Sequence, residues 1–101
     1  MTGLDCISAL KALSDETRLR ILGLLAKGPL TVSEVGEKLG VTQYNVSKHL
    51  KILREAGLLE FHKEGKEHIH ALSGKLHDQL KANGNVLDLG CCTFRLDKLP
   101  K

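Results

Sequence analysis

The sequence predicts a mainly α domain with one β-hairpin, an α+β arrangement, and three observations carry that prediction. Apolar residues recur at helical spacing through the first half of the chain. Two short helical segments there are joined by a tight turn at Gly40 and Val41. After Gly57 the spacing turns from helical to alternating, on either side of a tip formed by Glu64, Gly65 and Lys66. The length, 101 residues, suits one domain.

Leu4, Ile7 and Leu10, continued by Lys11, stand three or four apart and define a first helix. Ser14 is expected to cap a second, because Asp15 and Glu16 behind it suit the positive end of a helix dipole, and Gly28 and Pro29 stop that helix. Thr31 and Glu34 have the spacing of a capping box and open a short third helix that Gly40 ends. Thr42 caps the next, from Gln43 to Glu55, with Val46, Leu50 and Leu53 inward and Gly57 closing it. Leu59, Phe61, Ile69 and Ala71 alternate along the hairpin. Ser73 begins a last helix with Leu76 and Leu80 on one side, ended by Asn83 and Gly84. Residues 1–82 are thus read as the body of the domain. Residues 83–101 show no clear period and are expected to be an irregular tail with a short extended piece, not a separate domain.

Composition narrows the function. Hydrophobic residues at 42% and charged residues at 27% allow a buried core, but aromatics are only 3%, with no Trp. The core must be aliphatic, and a base-stacking platform for single-stranded nucleic acid is excluded. No run approaches ~18 apolar residues, and the start of the chain lacks a basic stretch followed by a hydrophobic one. The expectation is a cytoplasmic protein with no membrane partner. An enzyme, such as a small thiol reductase, is not expected, because no glycine-rich phosphate loop, βαβ pattern or Cys-x-x-Cys is present. Net charge is +3, and its most basic part is residues 41–66, which carry five basic and three acidic side chains.

Two short helices across a tight turn, followed at once by a hairpin with a charged tip, form a winged helix-turn-helix. Gln43, Tyr44, Asn45, Ser47 and Lys48 at the start of its second helix carry donors and acceptors suited to base edges or phosphates, opposite the inward Val46 and Leu50. Lys48, Lys51 and Arg54 follow at spacings of three and offer an edge for the DNA backbone. Lys63 and Lys66 stand on the wing.

Over residues 9–72 the chain resembles the ArsR/SmtB family of bacterial winged-helix repressors, most closely in ALSDETRLRIL and VSKHLKILREAGLL. The resemblance implies a homodimer that binds palindromic double-stranded operator DNA and loses affinity when an inducer, often a metal or metalloid, binds. It places Gln43, Tyr44, Asn45, Ser47 and Lys48 on recognition-helix positions and Lys63, Gly65 and Lys66 on the wing. Dimerisation is expected through Leu4, Ile7 and Leu10 of the first helix and Leu76 and Leu80 of the last.

The sensor positions depart from the family pattern. Arsenic sensors of the family carry a Cys pair in the helix before the recognition helix, where this chain has Leu30, Thr31, Val32 and Ser33. Zinc sensors use Asp-x-His and a second His pair on a long terminal helix, whereas His77 and Asp78 stand in the opposite order on a short one. His62, His68 and His70 of the hairpin read as its polar face, and His49 as a packing residue. There remain Cys6, Cys91 and Cys92, which in a reducing compartment are thiols rather than staples. Three thiolates suit arsenite or antimonite as inducer, while zinc would want a fourth ligand. Adjacent cysteines on a regular strand face opposite ways, a constraint that Gly90 relieves by permitting a bend. Oxidation or persulfide sensing by the same cysteines is one alternative, and an inducer-free winged-helix interaction module another.

Overall fold

The computed structural model describes residues 6–98, so Leu4 of the expected dimer stripe lies outside the described residues. The helices are α1 (Cys6–Leu13), α2 (Glu16–Leu25), α3 (Val32–Leu39), α4 (Gln43–Glu55) and α5 (Gly74–Asn83). The strands are β1 (Leu30–Thr31), β2 (Leu59–Glu64), β3 (Glu67–Leu72), β4 (Val86–Asp88) and β5 (Thr93–Arg95), with a 3-10 turn at Leu96–Lys98. None of these helices is long and apolar enough to cross a membrane.

The core is aliphatic, as the composition requires. Ile21, Leu22, Val35, Val46, Leu50, Leu53, Leu58 and Leu87 are fully buried in it, each such side chain stabilising the fold by about 1.5 to 3 kcal/mol. Local chemistry sets the helix ends. The capping box at α3 is present in full: the Glu34 N–H donates to Thr31 Oγ1 at 3.1 Å and the Thr31 N–H to Glu34 Oε1 at 2.9 Å. The cap of α2 is Asp15, one residue beyond the expected Ser14; its carboxylate accepts the Arg18 N–H at 3.0 Å, while the Ser14 hydroxyl donates back to the Lys11 carbonyl. A carboxylate is the better acceptor at the positive end of a helix.

Two features of the sheet depart from the sequence expectation. Leu30 and Thr31 form a short strand against β3, so the wing has three strands in the order β1-β3-β2 and Thr31 serves both sheet and helix cap. On β3 the inward residues are His70 and Leu72 rather than Ile69 and Ala71, because Phe61 pairs with His70 and Leu59 with Leu72. A histidine occupies a position that the apolar alternation had assigned to solvent.

Up to Lys98 the tail forms regular structure. Strands β4 and β5 pair antiparallel, with Leu87 opposite Phe94, around a two-residue loop of Gly90 and Cys91. Gly90 has φ +93, the conformation a side chain disfavours at the first position of so tight a hairpin. Leu87, Leu89 and Leu96 join the main core. The Gln79 side chain lies along the outer edge of β4, donating to the Asp88 carbonyl and accepting the Asp88 N–H, both at 3.0 Å. Its amide takes the place of a neighbouring strand.

Candidate nucleic-acid interface and thiol cluster

The turn between α3 and α4 is tight because of two glycines. Gly40 ends α3 at φ +68, and the N–H groups of Gly40 and Val41 both donate to the Gly36 carbonyl, at 2.8 and 3.1 Å. A Cβ on Gly36 would stand 2.9 Å from the Val41 carbonyl oxygen, so only glycine lets the two helices close this far. Thr42 then caps α4 by accepting the Asn45 N–H.

Helix α4 buries Val46, Leu50 and Leu53 and leaves Gln43, Tyr44, Asn45, Ser47, Lys48 and Lys51 exposed. Tyr44 is 73% exposed, with the Lys48 ammonium 5.4 Å from its ring centre. An exposed aromatic that contacts little of its own chain suits a partner surface. The Gln43 amide donates to Ser33 Oγ at 2.9 Å, which holds it beside α3. Gln43, Ser47, Ser33, Lys66 and His68 line a polar cleft between the start of the recognition helix and the wing tip. Lys63 and Lys66 are exposed, but Glu64 and Glu67 stand beside them, so the tip carries no surplus charge. The positive edge of this face belongs to Lys48 and Lys51.

Arg54, expected to contact the DNA backbone, is engaged inside the chain. Its Nη1 lies 3.0 Å from His70 Nε2, and its guanidinium stacks 4.7 Å from the Phe61 ring centre. Phe61 in turn stacks on His70 at 5.4 Å. This group fastens the wing to the end of the recognition helix. Burial, and secondarily the Arg54 charge, push the pKa of His70 down to about 4, so the ring is neutral near pH 7. His62 faces the opposite side of the hairpin from His68 and His70, since it pairs with Ile69, and the three imidazoles do not converge.

His49 is half-buried on α4, with Arg18 Nη1 3.2 Å from its Nδ1. Arg18 also donates to the Ala12 carbonyl through Nε and to the Lys11 carbonyl through Nη2. Sequence reasoning missed this bridge, having given Arg18 no role.

The three cysteines meet. Cys6 lies on α1, Cys91 sits in the tail hairpin loop and Cys92 follows it, and the three sulfurs all lie within 4.8 Å of one another. Among the described residues this is the one group of three or more Cys, His, Asp or Glu side chains placed to hold an ion. Cys6 and Cys91 are joined as a disulfide, with their Cα atoms 6.1 Å apart, which corrects the expectation that all three stand as thiols. The Cys91 N–H also points at Cys6 Sγ, 3.3 Å away. Cys6 and Cys92 are half-buried against the core, and Cys91 is exposed. Sulfurs on one soft ion at about 2.3 Å stand no more than ~4.6 Å apart, so the reduced cluster needs only small movements to chelate.

Leu76 and Leu80 of α5, expected at a subunit interface, are buried in the core that the tail hairpin joins. Ile7 on α1 stays open, 59% exposed.

A capped helix-turn-helix with a polar, exposed second helix and a β-wing beside it defines a winged-helix DNA-binding protein. A helix-turn-helix domain family matches residues 13–60, and the arsenical resistance operon repressor of Escherichia coli is 41% identical over 81 residues, 72% of this chain and 69% of that protein. The transcriptional repressor SdpR of Bacillus subtilis is 33% identical over 79% of this chain and 90% of its own length. The homodimeric winged helix-turn-helix DNA-binding domain Mb0332 of Mycobacterium bovis superposes with a TM-score of 0.69 at 32% identity, over 75% of this chain and 70% of that one. The chain belongs to the ArsR/SmtB family of winged-helix transcriptional repressors, and its function is DNA-binding transcriptional regulation.

Proposed function

We propose that the protein is a cytoplasmic homodimeric repressor that binds a two-half-site operator and releases it when Cys6, Cys91 and Cys92 bind arsenite or antimonite. The observation that carries this reading is the meeting of three sulfurs from opposite ends of the chain, within 4.8 Å of one another. Gln43, Tyr44, Asn45 and Ser47 read base edges, Lys48 and Lys51 hold the DNA backbone, and Lys63 and Lys66 approach it from the wing. Arg54 acts by holding the wing in place. The dimer contact lies on the outer face of α1 around Ile7, so Ile7→Asp should give monomers by sedimentation. That arsenical resistance repressors are among the relatives supports the inducer class.

Binding requires reduced sulfurs, and the joined Cys6 and Cys91 favour a second reading in which the inducer is an oxidant. A thiolate attacks hydrogen peroxide to give a sulfenic acid and hydroxide, and the second thiol then displaces the sulfenic oxygen as water to form the disulfide. One experiment separates the two. Reduced protein on labelled operator is titrated with arsenite and, separately, with hydrogen peroxide. Release by arsenite that Cys6→Ser, Cys91→Ser and Cys92→Ser each abolish supports the metalloid site. Release by peroxide alone, lost in Cys6→Ser and Cys91→Ser but kept in Cys92→Ser, replaces it with the redox reading. No response to either leaves an inducer-free module.

A further inference from the structure

We infer that Arg18 is the positioning residue through which the thiol cluster acts on the recognition helix, by way of His49. The inference rests on the proposed thiol reading for its input, but its own evidence lies elsewhere in the molecule. The described part of α1 runs from Cys6 to Leu13, with the Lys11 and Ala12 carbonyls near its last residue. Cys6 is tied to Cys91 here, so opening that bond frees it and chelation by reduced sulfurs draws it back, a shift that the hydrogen bonds of α1 carry to its far end, ~10 Å away.

That far end is in the grip of one side chain. Arg18 donates Nε to the Ala12 carbonyl and Nη2 to the Lys11 carbonyl, and presents Nη1 to His49 Nδ1 at 3.2 Å. Its own backbone is fixed by the Asp15 cap at the start of α2, and the Asp15 carboxylate also lies 3.9 Å from Nη1. One guanidinium therefore ties three helices together. His49 sits in the middle of α4, beside Lys48 and one turn beyond Asn45 on the DNA-facing helix.

The chemistry fixes the direction of each bond. A guanidinium has no acceptor, so His49 Nδ1 must accept and its ring proton resides on Nε2. A planar fork with five donors can serve two carbonyls and a ring nitrogen at once, whereas a lysine ammonium is a point donor that cannot span them. Arg18→Lys keeps the charge and breaks the bridge. His49→Leu removes the acceptor, and His49→Asn returns an acceptor oxygen near the place of Nδ1.

The test compares these three variants with wild type, all reduced, for operator affinity before and after arsenite and for arsenite uptake by calorimetry. The expected result is uptake unchanged in every variant and arsenite-free operator affinity within about threefold of wild type. The loss of affinity on adding arsenite, expected to be about 5- to 150-fold in wild type, should fall below about twofold in Arg18→Lys and His49→Leu and return in His49→Asn. Full release from both Arg18→Lys and His49→Leu overturns the inference while leaving the thiol cluster as the sensor. Failure of wild type to release overturns both, and that arm is read without any variant. Should Arg18→Lys fail to fold by circular dichroism, the contrast between His49→Leu and His49→Asn decides: equal responses in the two refute the bridge.

Discussion

Lowering the pH from 7 to 5 should cost the protein about 2 kcal/mol of stability through His70 alone. The ring is 2% exposed, its Nε2 accepts from Arg54 at 3.0 Å, and its Nδ1 has no hydrogen-bond partner. Burial and then the Arg54 charge push its pKa from the ordinary 6.5 to about 4. A proton on His70 would therefore displace the Arg54 bond and set two cations side by side in the core. Above pH 6.5 neither the folded nor the unfolded chain carries this proton, and stability is complete. As the pH falls from 6.5 toward 4 the unfolded chain takes the proton and the folded chain refuses it, so stability is lost across that window, reaching about 3 kcal/mol at its lower end. The measurement is urea unfolding followed by circular dichroism at pH 7, 6 and 5 in reducing buffer, on wild type and His70→Gln. Glutamine still offers Arg54 an acceptor oxygen but does not titrate, and every other histidine is common to both proteins. The wild type should lose about 2 kcal/mol more than the variant between pH 7 and 5. Equal losses would show that His70 carries its proton in the folded protein and that the burial argument fails.

Two further expectations concern the reading head. Gly36→Ala should destabilise by about 1 to 3 kcal/mol in thermal unfolding, because its Cβ would meet the Val41 carbonyl oxygen at 2.9 Å, and backbone cannot yield as a flexible side chain does. An unchanged melting temperature would mean that the turn is looser than described. Gln43→Ala or Asn45→Ala should cost about 1 to 3 kcal/mol on the specific operator and little on random DNA, by fluorescence anisotropy. Lys48→Ala should weaken both DNAs alike and flatten the salt dependence by about one unit; the same loss from all three would misplace the base-reading face.

How much of this was legible in the sequence depends on how local the cause is. The capping box of Thr31 and Glu34, the stop at Gly40 and the inward row of Val46, Leu50 and Leu53 are written within a few residues of where they act. Those features placed the recognition helix to the residue. The meeting of Cys6 with Cys91 and Cys92 was legible through chemistry and not spacing, since only their shared softness linked residues at the two ends of the chain. What escaped was set by distant partners. Leu76 and Leu80 show the stripe of an interface helix, and nothing near them announces that Leu87 and its neighbours return to the same core. His70 looked like a surface strand residue because its reason to be buried, Arg54 with Phe61, comes from another helix and the facing strand. The spacing of Arg54 from Lys48 and Lys51, that of a DNA-facing row, likewise gave no sign of its contacts with His70 and Phe61.

The bond between Cys6 and Cys91 spans 85 positions, so with it closed nearly the whole domain becomes a ring. A ring has fewer ways to unravel, a restriction that disfavours the unfolded chain by about 4 to 5 kcal/mol on loop-closure grounds. It also changes what a cut does. A protease that nicks the exposed wing frees two fragments from the open chain but leaves the closed one in a single covalent piece, its halves held together to fold back. Closing that one pair of sulfurs thus changes what a single cut does to the chain, apart from any effect on its grip on DNA.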